Sequence, residues 1–206
     1  MHRDLNGVRK RRSTYLPHWE QQGGVNFVTY RLADSLPAAA VAELKAEREA
    51  LERKLEFSGI EAGNELARFN SLRSKRIETL LDNGHGECLL ANNSAAQIVR
   101  DNLLHFSGRR YELLCWCVMP NHVHVMIRPL DGWGLEKIVH GWKSYTAKQI
   151  NRLQGRTGTV WQAEYFDRLI RNRDELRRGV QYILENPVKA GLGPWKWVDV
   201  SLDSGF

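Results

Sequence analysis

No apolar run in these 206 residues is long enough to cross a membrane, and the basic N-terminus has no apolar stretch of the signal-peptide kind. Neither membrane insertion nor export is expected. Cysteine is scarce. Cys88, Cys115 and Cys117 are odd in number and lack the spacing of a metal site. Cys115 and Cys117 share one strand face and read as small buried hydrophobes in a reducing cytoplasm. No internal repeat is present. What is present is a basic surplus: net charge +6 and a pI near 9.4. Such a surplus suggests an anionic partner, of which nucleic acid is the commonest. Seven tryptophans allow base stacking as well as packing. The hydrophobic content of 42% suits a protein that buries a real core.

The length suits one domain with decorations. Residues 1–20, with "RKRR" at Arg9, Lys10, Arg11 and Arg12, show no periodicity and read as a flexible basic arm. Residues 21–206 read as a single domain. It opens with an alternating strand over 25–32 and has a helical insertion over 38–81, two helices joined near Gly59–Gly63. An amphipathic helix follows over 94–106, with Ser94 as its expected cap. Strands are expected over 110–119 and after Pro120–Asn121. A helix over 134–153, a short strand or two within 157–172, and a helix over 174–186 ended by Pro187 complete the order. That order predicts an α+β, ferredoxin-like β-α-β-β-α-β sandwich with an appended C-terminal helix.

The stretch "PNHVHVMI" places two histidines one residue apart in an apolar strand. Alternation puts His122 and His124 on one face and Val123, Val125 and Ile127 on the other. Two readings stand at this point. The imidazoles are either a hydrogen-bonded pair on a polar face, or two ligands of an ion whose third ligand comes from elsewhere in the fold. On the last helix, Leu176, Val180, Ile183 and Leu184 form an apolar stripe, and Tyr182 and Asn186 lie together off it, four residues apart. Tyr145 falls at the edge of the stripe of its own helix, so packing in the core or against a base is its default duty.

"PNHVHVMI", followed in order by "WKSYTAKQIN", "WQAEYFDRLIR" and "VQYILENPVKAGL", resembles the REP-associated tyrosine transposases, a branch of the single-tyrosine HUH transposases. The resemblance implies that His122, His124 and Asn186 hold Mg²⁺ or Mn²⁺. It implies that Tyr182 attacks single-stranded DNA beside hairpin elements, leaving a 5′-phosphotyrosine and a free 3′-hydroxyl that can reverse the step. Asn186 stands where insertion-sequence relatives carry Gln, as the REP-associated branch allows. Lys143, Arg168, Arg171 and Arg173 are the expected phosphate contacts, with the basic arm adding non-specific attraction. The expected location is cytoplasmic, on the nucleoid, and the expected state a monomer or a homodimer. Two other readings remain: a non-catalytic binder of palindromic DNA, and a metal-dependent hydrolase in which Tyr182 only binds substrate.

Overall fold

The computed structural model describes residues 8–12, 17–21, 23–55 and 61–201, excepting the side chains of 8–20, 61–64, 66, 67, 70 and 71. Two N-terminal strands, β1 (Val8–Arg12) and β2 (Pro17–Gln21), pair antiparallel, Val8 opposite Gln21 and Arg12 opposite Pro17. The "RKRR" segment is thus a strand of a small ribbon, where no regular structure was expected. The side chains of Arg9, Lys10, Arg11 and Arg12 lie outside the described residues, as does the backbone of 1–7 and 13–16.

The main sheet has five antiparallel strands: β3 (Val25–Arg31), β4 (Tyr111–Val118), β5 (His122–Pro129), β6 (Phe166–Ile170) and β7 (Val198–Val200), in the order β6-β3-β5-β4-β7. With α3 (Asn93–His105) between β3 and β4 and α4 (Leu135–Gln154) between β5 and β6, the first four strands have the ferredoxin-like arrangement. The α+β expectation holds. β7, short and not foreseen, extends the edge beside β4. The insertion forms α1 (Ala38–Leu55) and α2 (Glu61–Asp82), and α5 (Arg173–Lys189) follows β6.

Alternation divides the core in two. Val28, Tyr30, Val123, Val125 and Ile127 pack on one face against Ala96, Val99, Leu103, Ile138 and Trp142 of α3 and α4. Val25, Phe27, Cys117 and Met126 pack on the other, against Leu176 and Ile183 of α5. A bulge between Leu113 and Cys115 shifts the parity of β4, so Leu114 and Cys115 both join the α5 side while Trp116 joins the other. Cys115 and Cys117 are free thiols, and burial pushes both upward in pKa, Cys115 to about 12. Both are small hydrophobes of the core.

Two helix ends differ from expectation. α3 is capped by Asn92, not Ser94: the Asn92 Oδ1 accepts from the amides of Ser94 at 2.9 Å and Ala95 at 3.2 Å. Asn92→Ala is expected to cost about 1 kcal/mol of stability, and Asn92→Ser much less, read from denaturant midpoints. Pro187 does not end α5 but sits inside it, buried. It forfeits one internal hydrogen bond. The helix closes two residues later, where the amides of Ala190 and Leu192 reach the carbonyls of Asn186 and Pro187 at 3.0 and 2.9 Å.

Candidate active site

The strand register builds one polar row on the α5 face of the sheet. Cys117 and Thr29 flank His124 on the two neighbouring strands, Arg31 lies opposite His122, and Phe166 lies opposite Thr29. Both histidines are 1% exposed, which makes their polar partners obligatory. His122 Nδ1 is 2.7 Å from Asn121 Oδ1, and His124 Nδ1 is 2.8 Å from Thr29 Oγ1. The Asn121 amide donates from Nδ2 to the carbonyls of Leu81 and His85, so its Oδ1 is left to accept. His122 Nδ1 must therefore be the donor, and its Nε2 carries a lone pair.

That lone pair faces His124 Nε2 at 2.9 Å. The Thr29 hydroxyl decides what it meets. If Thr29 donates to His124 Nδ1, then His124 Nε2–H donates to His122 and the pair is satisfied by itself. If Thr29 accepts, two lone pairs converge and require a cation between them. One rotatable hydroxyl thus accommodates both readings of the histidine pair.

Burial, with His124 adding to it, holds the His122 imidazole far below the ordinary histidine range. Burial lowers His124 to about 3. A depressed folded-state pKa gives stability that is complete above the unfolded value near ~6.5 and is lost as pH falls below it. In protein stripped of divalent ions, stability is expected to fall between about pH 6.5 and 3, each histidine contributing at most ~1.4 kcal/mol per pH unit. Urea melts across this range check it, and His122→Gln/His124→Gln should lose that part of the slope.

Tyr182 projects from α5 onto this row. Its ring centroid is 5.3 Å from that of His124 and 5.8 Å from that of Phe27. Gly179, one turn earlier, permits the approach: a Cβ there would stand 2.5 Å from the Met126 methyl. Tyr182 is half-buried, and Asn186, one turn further on, is 0% exposed. The expected arrangement of α5 is corrected here. Leu184, placed on the apolar stripe, is 42% exposed, whereas Asn186 faces inward with Leu176, Gly179 and Ile183. Tyr145, expected in the core or against a base, is 50% exposed and so is not a core residue.

Both polar atoms of the Asn186 amide are buried; its nitrogen lies close enough to the Tyr182 hydroxyl to favour the phenolate, and its oxygen has no hydrogen-bond partner among the described residues. Leaving such a group unsatisfied costs roughly 1–3 kcal/mol, so its retention points to a ligand. Among the described residues no three His, Cys, Asp or Glu side chains cluster to hold an ion. A site here must therefore draw on an amide. The donors fit one: two neutral imidazoles and an amide oxygen suit a borderline-hard divalent ion.

The sequence passed over α2 as solvated, yet its last turns reach the site. Glu78 faces the Tyr182 hydroxyl closely enough to hydrogen-bond with it, with Asp82 beside it. Burial, then these two carboxylates, raise the Tyr182 phenol, and burial and Asp82 raise Glu78. Lys189 Nζ lies 5.5 Å from the centre of the tyrosine ring. Asn121 and Thr29 were also missed as supports of the histidines, because cross-strand partners are visible only once register is known.

The expected phosphate contacts divide. Arg168 is exposed on the site face, its guanidinium 5.8 Å from the centre of the Phe27 ring. Arg173 is exposed at the start of α5. Arg171 is tied to Glu175, at 3.0 Å from Nε and 2.6 Å from Nη2, and so serves the helix start. Lys143 is half-buried and donates to the Ala163 carbonyl, which makes it a poor phosphate contact.

Residues 93–186, less than half of the chain, match the family described as "Transposase IS200 like"; the span runs from α3 to Asn186 and contains both histidines and Tyr182. Among curated proteins, the chain is 31% identical over 83 residues to the REP-associated tyrosine transposase of Escherichia coli, covering 40% of this chain and 48% of that one. It is 26% identical over 91 residues to a putative REP-associated tyrosine transposase of Haemophilus influenzae, covering 39% and 52%. The chain thus spans about half the length of the curated relatives it matches. A solved structure described as the REP-associated tyrosine transposase bound to a REP hairpin aligns with 92% of this chain and 81% of its own, at a TM-score of 0.49 and 18% identity. The similarity to REP-associated tyrosine transposases that the motifs implied is therefore shown. No helix among the described residues is long and apolar enough to cross a membrane.

Proposed function

We propose that the protein is a DNA strand transferase that cleaves and rejoins single-stranded DNA beside hairpin elements, through a covalent bond to Tyr182. The observation that carries this reading is the pairing on α5. Tyr182 lies against His124, and one turn away stands the buried Asn186 amide, close to the Tyr182 hydroxyl and with an oxygen that has no hydrogen-bond partner among the described residues. His122, His124 and Asn186 would hold Mg²⁺ or Mn²⁺. The chemistry such an ion supplies is Lewis-acid polarisation of the scissile phosphate.

The rest falls to the chain's own residues. A phenol with an ordinary pKa near ~10 is a weak nucleophile at neutral pH, and here burial raises it further. Glu78, beside the hydroxyl, is placed to take its proton as Tyr182 Oη bonds to phosphorus. The bond to the 3′-oxygen breaks, and that oxygen takes a proton from solvent water and leaves as a 3′-hydroxyl. The phosphodiester energy stays in the tyrosyl ester, so an incoming 3′-hydroxyl reverses the step and joins a strand without ATP. Arg168 and Arg173 are the phosphate contacts on this face, and the "RKRR" strand adds non-specific attraction.

The test is a hairpin oligonucleotide with single-stranded flanks, labelled at its 3′ end and incubated with protein and Mg²⁺ or Mn²⁺. A labelled band that migrates with the protein in denaturing gels is expected. Cleavage without an adduct would make the protein a hydrolase, and binding without cleavage would make it a hairpin binder.

A further inference from the structure

A cavity of about 370 Å³ lies between the α1–α2 hairpin and the sheet. That is within the range of small-ligand pockets, about 300–1,000 Å³. It is contiguous with the candidate site, because Thr29, which supports His124, and Glu78, which faces Tyr182, both line it. Its charges are unevenly matched. Glu52 pairs with Arg48 and Glu49 with Lys45 on α1, and Glu164 stands beside Lys143. Two lining guanidiniums form no direct ion pair among the described residues, although the charges of Glu47 and Glu52 on α1 act on Arg73. Among the described residues, Arg31 bonds only to the Leu32 carbonyl and the Ser35 hydroxyl, and Arg73 Nε is buried with no hydrogen-bond partner. Burial and then the charge of Arg73 lower Arg31 to about 10. Two like charges held close together in the lining favour an anion between them. Tyr165 and Phe166 add aromatic rings to the same wall.

We infer that this cavity receives one unpaired nucleotide of the DNA strand next to the scissile phosphate, with its phosphate on Arg31 and Arg73 and its base against Tyr165 and Phe166. This rests on the single-strand reading above. Guanidiniums recognise phosphate as planar donors, and aromatic faces accept any base, so the pocket fixes the path of the strand more than its sequence.

The test is fluorescence anisotropy with hairpins whose single-stranded flank carries one abasic site, moved a nucleotide at a time. Wild-type protein should lose about tenfold in affinity at one position and little elsewhere. Arg73→Gln should lose a similar factor on the intact strand and become insensitive to that abasic site. Val41→Trp is the second variant. Val41 is 41% exposed and lines the cavity, so a bulky side chain there fills the space without disturbing the core or the arginines. It should give the same loss. Intact-strand affinity equal to wild type in both variants, or abasic sensitivity kept in both, overturns the inference while leaving adduct formation untouched. Failure of the wild type to bind any single strand, or to form an adduct, overturns the strand-transfer reading and this pocket with it.

Discussion

Tyr182→Phe is expected to fold, to bind hairpin DNA as wild type does, and to form no covalent adduct. The substitution removes one oxygen and keeps the ring. The contacts with His124 and Phe27, at 5.3 and 5.8 Å between centroids, therefore persist. The polar interactions lost are with Glu78 and Asn186, on a half-buried side chain, so the stability change should stay near about 1 kcal/mol. Without the hydroxyl no phosphotyrosine forms at this position. Tyr30 and Tyr111 are buried on the α3–α4 face, and Tyr145 is exposed on α4. Denaturing gels of the 3′-labelled hairpin read the chemistry, and thermal melts with anisotropy read fold and binding. An adduct in Tyr182→Phe at wild-type yield would remove Tyr182 from the reaction.

Replacing either histidine is expected to lower metal-dependent cleavage by about 10³-fold or more, since the loss of several kcal/mol of charge stabilisation is at stake. Alanine is a blunt probe at these positions. His122 and His124 are each 1% exposed, and truncation strands Asn121 Oδ1 or Thr29 Oγ1. The alanine variants should therefore also lose roughly 1–3 kcal/mol of stability, while hairpin binding by the folded fraction persists. Glutamine keeps a hydrogen-bonding group and should recover stability without recovering cleavage. A separate readout is the rise in melting temperature that Mn²⁺ gives the wild type, which each variant should lose. Cleavage at the wild-type rate by either variant would refute the metal site.

Much of this was legible in the chain because its periodicities are strong. The alternation around His122 and His124 put both imidazoles on one face, and the strand and helix order gave the sheet topology. What was not legible depended on contacts distant in sequence. Asn186 seemed to lie off the apolar face because a helical wheel weighs Leu184 by its hydrophobicity. The fold buries a polar Asn186 one turn from Tyr182 and leaves Leu184 in solvent. The passage of α5 through Pro187 was hidden for a related reason: burial of the proline outweighs the single hydrogen bond it forfeits. Glu78 and Asp82 were indistinguishable from the many solvated acids of α1 and α2 until the hairpin was placed against the site. Arg31 read as the end of a strand, and only register with His122 and the approach of Arg73 gave it a setting.

The central claim is that one particular hydroxyl becomes joined to DNA. It is tested most directly by digesting the wild-type adduct with protease and nuclease and sequencing the nucleotide-bearing peptide by mass spectrometry. The account predicts a single modified peptide from α5, with the phosphodiester remnant on Tyr182. A remnant on Tyr145, Tyr165 or any other residue would contradict it.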